Sequence, residues 1–122
     1  MLNYVCLIGR LVRDPEYRLT SSGIPVVRFT MAVDKFKRKD SQEENTADFI
    51  RIVAWRRLAE ICNQFLKKGK LVAIDGRLQI DSYEKDGIQK TSAEVVADNM
   101  QMLDRVSDNT FTQEDTLTPV RD

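Results

Sequence analysis

The fold class this sequence predicts is all-β, with five strands closing on themselves and one short helix. Three observations lead there. Five segments concentrate β-branched and aromatic residues with period-two patterning. One stretch, Leu58 to Leu66, switches to a helical period. The order is three strands, the helix, then two strands. One short helix cannot cover both faces of a parallel sheet. An antiparallel sheet curled into a barrel, with the helix plugging one end, buries all these faces.

Each element follows from its residues. Asn3 to Val12 alternates Val5, Leu7, Gly9 and Leu11 against Tyr4, Cys6, Ile8 and Arg10. Both sets contain apolar residues, which predicts a largely buried strand. Gly9 suggests a bulge or sharp bend. Arg13-Asp14-Pro15 ends or redirects the strand, and Thr20 to Pro25 is a turn cluster. Val26 to Asp34 and Ala47 to Trp55 are the second and third strands. They form a long antiparallel hairpin across a polar loop of residues 35–46.

Leu58, Ile61, Cys62, Phe65 and Leu66 then mark one apolar stripe of a helix. Lys67 and Lys68 are expected in its last turn and Gly69 as its C-terminal cap. Leu71 to Tyr83 is the fourth strand, with Gly76 as a second bend. Asp86-Gly87 is a hairpin signal, and Thr91 to Leu103 is the fifth strand. This is the order of an OB-fold: a five-stranded antiparallel barrel with one helix between strands three and four. Residues 1–104 are expected to form that domain. Residues 105–122, poor in large apolar side chains, are expected to be a short acidic, disordered tail.

Composition narrows the function. The chain has 122 residues, enough for one domain with a real core. It contains no histidine, which removes the commonest general base and metal ligand. No cysteine cluster suits zinc, and no cofactor is expected. Cys6 and Cys62 are expected to be reduced core thiols. No apolar run is long enough to span a bilayer, and the N-terminus lacks signal-peptide character, so cytoplasmic residence is the expectation. Net charge is zero, but unevenly spread. Residues 1–105 carry 18 Lys/Arg against 15 Asp/Glu, while the remainder carries Arg121 against four acidic residues.

The third strand carries the most information about function. Period two places Phe49, Arg51, Val53 and Trp55 on one face and Ile50, Ile52 and Ala54 on the other. The second set is aliphatic and suits the interior, so the first should face outward. Large exposed aromatics need a reason. Stacking on nucleobases supplies one, because every base has a π-face and stacking tolerates sequence. Packing beneath a loop or in an oligomer interface is the plainer alternative. Phe36, amid Lys35, Lys37, Arg38 and Lys39, and Tyr83, before a hairpin with Lys85 and Lys90, extend the aromatic set. Arg10, Arg51, Arg56, Arg57 and Lys68 are candidate phosphate or base contacts, together with Lys35 and Lys37.

These residues lie in blocks that resemble bacterial single-stranded-DNA-binding proteins over roughly Leu2 to Leu103. The matching stretches include residues 3–11 (NYVCLIGRL), 14–16 (DPE), 29–33 (FTMAV), 47–51 (ADFIR), 66–69 (LKKG), 75–78 (DGRL) and 94–97 (EVVA). The resemblance implies an OB-fold, a homotetramer and single-stranded DNA wrapped around it, serving replication, recombination and repair. It places the stacking aromatics on Phe36, Phe49, Trp55 and Tyr83. The chain departs from the pattern in three ways. Gln79, Asp81 and Ser82 stand where many relatives have basic residues. The chain ends Thr118-Pro119-Val120-Arg121-Asp122, not in an acidic tip finishing Ile-Pro-Phe, so that tip's recruitment of replication and repair proteins is not implied. The Gly/Pro/Gln-rich linker is nearly absent.

Two rival functions come from other classes. An OB-fold nuclease would need a metal-binding carboxylate cluster. Asp75 and Asp81 share a strand face, but solvent-facing carboxylates are the simpler reading, and no nucleophile or phosphate-binding motif is present. The other rival is an OB-fold RNA-binding or protein-interaction module. An RNA reader would use the 2′-hydroxyl. An interaction module would cover Phe49 and Trp55 with protein.

Overall fold

Strands β1 (Val5–Leu11), β2 (Glu16–Leu19), β3 (Pro25–Asp34) and β4 (Ala47–Trp55) precede the helix α1 (Arg56–Phe65), and β5 (Leu71–Lys85) and β6 (Ile88–Met102) follow it. This computed structural model describes residues 1–35 and 46–104. The expected five-stranded antiparallel barrel with its helix between strands three and four is therefore corrected. Among the described residues there are six strands in one mixed sheet, ordered β1-β5-β6-β4-β3-β2, and α1 lies between β4 and β5. The extra strand is β2, whose four residues pair antiparallel with the start of β3. It is too short, and too polar at Glu16 and Arg18, to announce itself by period. One pairing is parallel: β4 meets β6 at Ile52↔Val95 and Val53↔Val96. The sheet also curls, so that β1 meets β3 at Arg10↔Ala32 and Leu11↔Met31.

The core lies on the concave side of that curl. Val27, Phe29 and Met31 of β3 point inward with Ile52 and Ala54 of β4, Val72 and Ile74 of β5, and Val95 of β6. Helix α1 adds Ala59 and Cys62, and Leu66 follows just past its end. No polar or charged residue is buried among the described residues. Burial pushes the Cys62 thiol up to about 12, so it stays protonated.

Several local expectations need correction. Phe65 is exposed, because the helix presents its Ala59–Cys62 side to the sheet. Helix α1 ends at Phe65, so Lys67 and Lys68 lie beyond its last turn. Gly69 adopts φ +90 in the following turn and donates its N–H to Leu11 O; the cap is Leu66 in extended conformation. Strand β1 is half-open: Cys6 and Ile8 are exposed on its convex side, so Cys6 is not a core thiol. The Asp86-Gly87 turn is as expected, both residues having positive φ between β5 and β6.

The curl depends on two glycines. The β5–β6 register shifts between Asp75 and Gly76, a bulge that bends the long hairpin. A Cβ on Gly76 would run into the Val96 carbonyl, and one on Gly9 into the Ala32 carbonyl. In each case the obstacle is backbone, which cannot swing aside. Gly76→Ala is expected to lower unfolding free energy by roughly 3 kcal/mol or more in urea titration, at or above the usual range for overpacking. A loss under about 1 kcal/mol would contradict the close approach. The Cys62 thiol makes a separate forecast. Unfolded, it ionises near its ordinary value of 9.0; folded, it does so near 12. Stability linked to it is fully present below pH 9 and is lost as pH rises through that window, by at most about 1.4 kcal/mol per pH unit. Cys62→Ala should show a shallower alkaline decline than the parent chain in parallel melts.

Candidate nucleic-acid interface

Strand β4 builds the site. It is flanked by β3 over its whole length and by β6 at two residue pairs. Burial of Ile52 and Ala54 in the core forces the alternate residues to the convex face. There Phe49 is 63% exposed and Trp55 40% exposed. Arg51 lies between them, its guanidinium donating to Ala93 O at 3.4 Å. From Phe49 to Trp55 is about 20 Å along the strand, a length suited to several unstacked bases.

Val53 shares that face but is not open, being 1% exposed and packed with Val26 and Val96 in a small second cluster. Its expected outward exposure is thus corrected. The face is a line of exposed rings and a guanidinium interrupted by a covered valine.

The hairpin arm extends the surface. Arg77 pairs with Val96, and the register runs without a further shift to Tyr83↔Lys90. Arg77, Gln79, Asp81 and Tyr83 therefore point to the same side as Val96, the side of Phe49 and Trp55. Tyr83 is 46% exposed. On the arm's other side Leu78 and Ile80 are also exposed. The Gln79 amide donates to Asp81 Oδ2 at 3.3 Å, so the arm's polar residues partly satisfy each other.

The candidate cations are not equivalent. Lys35 lies just past β3, with Nζ 3.7 Å from Asp48 Oδ1. Arg10 shares a convex-face row with Ala32 and Phe49 through the β1–β3 and β3–β4 registers. It is engaged, however, donating to Gly69 O at 2.8 Å and pairing with Asp104 at 3.3 Å. Arg56 and Arg57 open the helix beside Trp55, and Arg57 lies 3.5 Å from Glu60. Lys68 lies in the turn before β5, its backbone N–H held by Asp14, and is not on the strands that carry the rings. Phe36 and Lys37 lie outside the described residues.

The strand-to-helix junction shows local preference being overridden. Trp55 occupies the helix N-cap position with no side-chain cap, where Ser, Thr, Asp or Asn would gain about 1 kcal/mol. Arg56 has φ 59, a left-handed conformation unusual for a non-glycine residue. Sequence reasoning missed Arg28, Arg77 and Glu94 on this face. Arg28 was within reach of it: Val27 and Phe29 are core-type residues, and the residue between them must face the other way.

Exposed rings on either side of an arginine on an open sheet face define a binding surface rather than a reaction pocket. Among the described residues no three His, Cys, Asp or Glu side chains gather to hold a metal ion. A profile of the Single-strand binding protein family matches residues 2–103, and the chain belongs to that family. It is 47% identical over 116 residues to a single-stranded DNA-binding protein of Staphylococcus aureus (strain MRSA252), covering 94% of this chain and 73% of the relative. A single-stranded DNA-binding protein of Thermotoga maritima is 47% identical over 105 residues, covering 84% and 74%. The solved Plasmodium falciparum SSB complex with ssDNA is similar with a TM-score of 0.77 at 25% identity, covering 85% of this chain and 96% of that one.

The burial contrast along β4 is testable by stability alone. Phe49→Ala should change unfolding free energy by no more than about 0.5 kcal/mol, as for other exposed positions. Val53→Ala should cost about 1–3 kcal/mol. Equal losses from the two in urea titration would contradict the outward placement of Phe49.

Proposed function

We propose that this chain binds single-stranded DNA with little sequence preference and protects it during replication, recombination and repair. One observation carries the reading: Phe49, Trp55 and Tyr83 stand exposed on one side of the sheet with Arg51 among them. Stacked bases need open π-faces, and phosphates need cations beside them. The family membership and the named relatives support the same reading. The role is binding, not catalysis.

Within this proposal residues 1–104 are the binding domain and 105–122 an appended tail. Phe36 and Lys37 would extend the surface from the β3–β4 loop, and Lys35, Arg56 and Arg57 would hold phosphates at its margins. Arg10 would do so only by leaving Asp104. Lys68, off the strand face, would meet DNA that continues past the helix. A homotetramer is the proposed assembly. Exposed Leu78 and Ile80 on the arm's far side leave apolar surface away from the rings for such contacts. No helix among the described residues is long and apolar enough to cross a membrane, and a cytoplasmic site of action is part of the proposal.

Titrating oligo-thymine strands of increasing length tests the reading. Indole emission from Trp55, the only tryptophan, should quench on binding. Trp55→Ala should weaken affinity by roughly 1–3 kcal/mol. Affinity should fall with salt in proportion to the phosphates neutralised. Unquenched emission with undiminished Trp55→Ala affinity would overturn the stacking surface. The mass of the complex gives the subunit count.

A further inference from the structure

An acidic side chain sits within this face. Glu94 of β6 lies on the same side as Val96, and its Oε2 accepts from Arg28 Nε of β3 at 2.9 Å. Strands β3 and β6 flank β4, so the ion pair must cross β4. It does so near Val53, whose register partners are Arg28 on one side and Val96 on the other. Val53 separates Arg51 from Trp55. A strand laid from Phe49 to Trp55 therefore passes over the Arg28–Glu94 pair.

The pair differs from the other ion pairs described above. The Glu94 side chain is only 16% exposed, against 52% for Arg28. Every other ion pair described in the molecule has a carboxylate side chain at least 29% exposed. The Glu94 side chain is thus largely covered, while the Arg28 side chain bonded to it stays about half open to solvent. A charge-assisted bond at this distance and with this little water around its acceptor is stronger than an ordinary surface bridge.

We propose that Glu94 is an electrostatic latch on the DNA-binding face. It holds Arg28 in a neutral pair and so withholds one cation from phosphate between the Arg51 and Trp55 positions. This rests on the single-stranded-DNA reading above. The latch sets affinity below what the cations of the face would give, and makes the middle of the path a low-friction span between two stacking ends. A paired guanidinium neutralises no phosphate and releases no counterion; a freed one does both.

Four proteins test it: the parent chain, Glu94→Gln, Arg28→Gln and the double variant. Glu94→Gln keeps the size of the side chain and removes its charge. Binding of a fluorescent oligo-thymine strand is followed by anisotropy across a salt series, with melts to check that each variant folds. The parent and Arg28→Gln should share one slope of log affinity against log salt. Glu94→Gln should bind several-fold tighter, with a slope steeper by about 0.7, the increment for one further phosphate on a single strand. The double variant should return to the parent slope. The latch is overturned if Arg28→Gln alone flattens the slope, since Arg28 would then already hold phosphate. It is overturned equally if Glu94→Gln weakens binding, which would make Glu94 an acceptor for base amino groups, or if the single and double Glu94 variants have equal slopes, which would mean a diffuse charge effect. Trp55 emission in the parent chain keeps the two readings apart. Quenching with the wrong slopes rejects the latch alone; absent binding rejects the DNA reading itself.

Discussion

The register of β4 is the constraint on which the rest of the structure depends. Ile52 and Ala54 are fully buried, and β3 holds the strand at nine consecutive residue pairs. Side-chain direction in a strand has a period of two, so a slip by one residue would turn every side chain over. Phe49, Arg51 and Trp55 would then point inward, and the aliphatic residues that build the core would meet water. Hydrophobic burial on one face is therefore what keeps the rings available on the other.

Curvature is the second requirement, and it belongs to the backbone. At Gly9 and Gly76 neighbouring strands approach so closely that a side chain would strike a carbonyl group. The bulge beside Gly76 bends the β5–β6 hairpin, letting its base pair in parallel with β4 while its arm projects past the core. One long hairpin thus does two jobs. Its base supplies Val95 and Ala97 to the core, and its arm carries Tyr83 along the same side as Trp55. The cost of this layout is apolar surface on the arm's far side, at Leu78 and Ile80.

Charge on the face is arranged as carefully as shape. Arg10, Arg28, Arg57, Arg77 and Lys35 each have a carboxylate within ion-pair distance. A count of cations in the sequence therefore overstates what a phosphate chain meets. That agrees with a chain whose overall charge is zero and whose exposed rings, not its net charge, mark the surface.

The sequence alone determined the strong periodic elements and the key side chains. The alternation in β4, the β3–β4 pairing, the Asp86-Gly87 turn and the bend at Gly76 were all legible, because each rests on local backbone chemistry or on burial of one face. So was the outward placement of Phe49, Arg51 and Trp55. The tertiary structure decided what no local pattern encodes. It added β2, set β6 parallel to β4, covered Val53 with Val26 and Val96, opened Cys6 to the surface, and shortened the helix before its lysines. It also brought Arg28 to Glu94 across 66 residues of chain. Period reveals which face a side chain takes; only the closing of the sheet decides what stands opposite it.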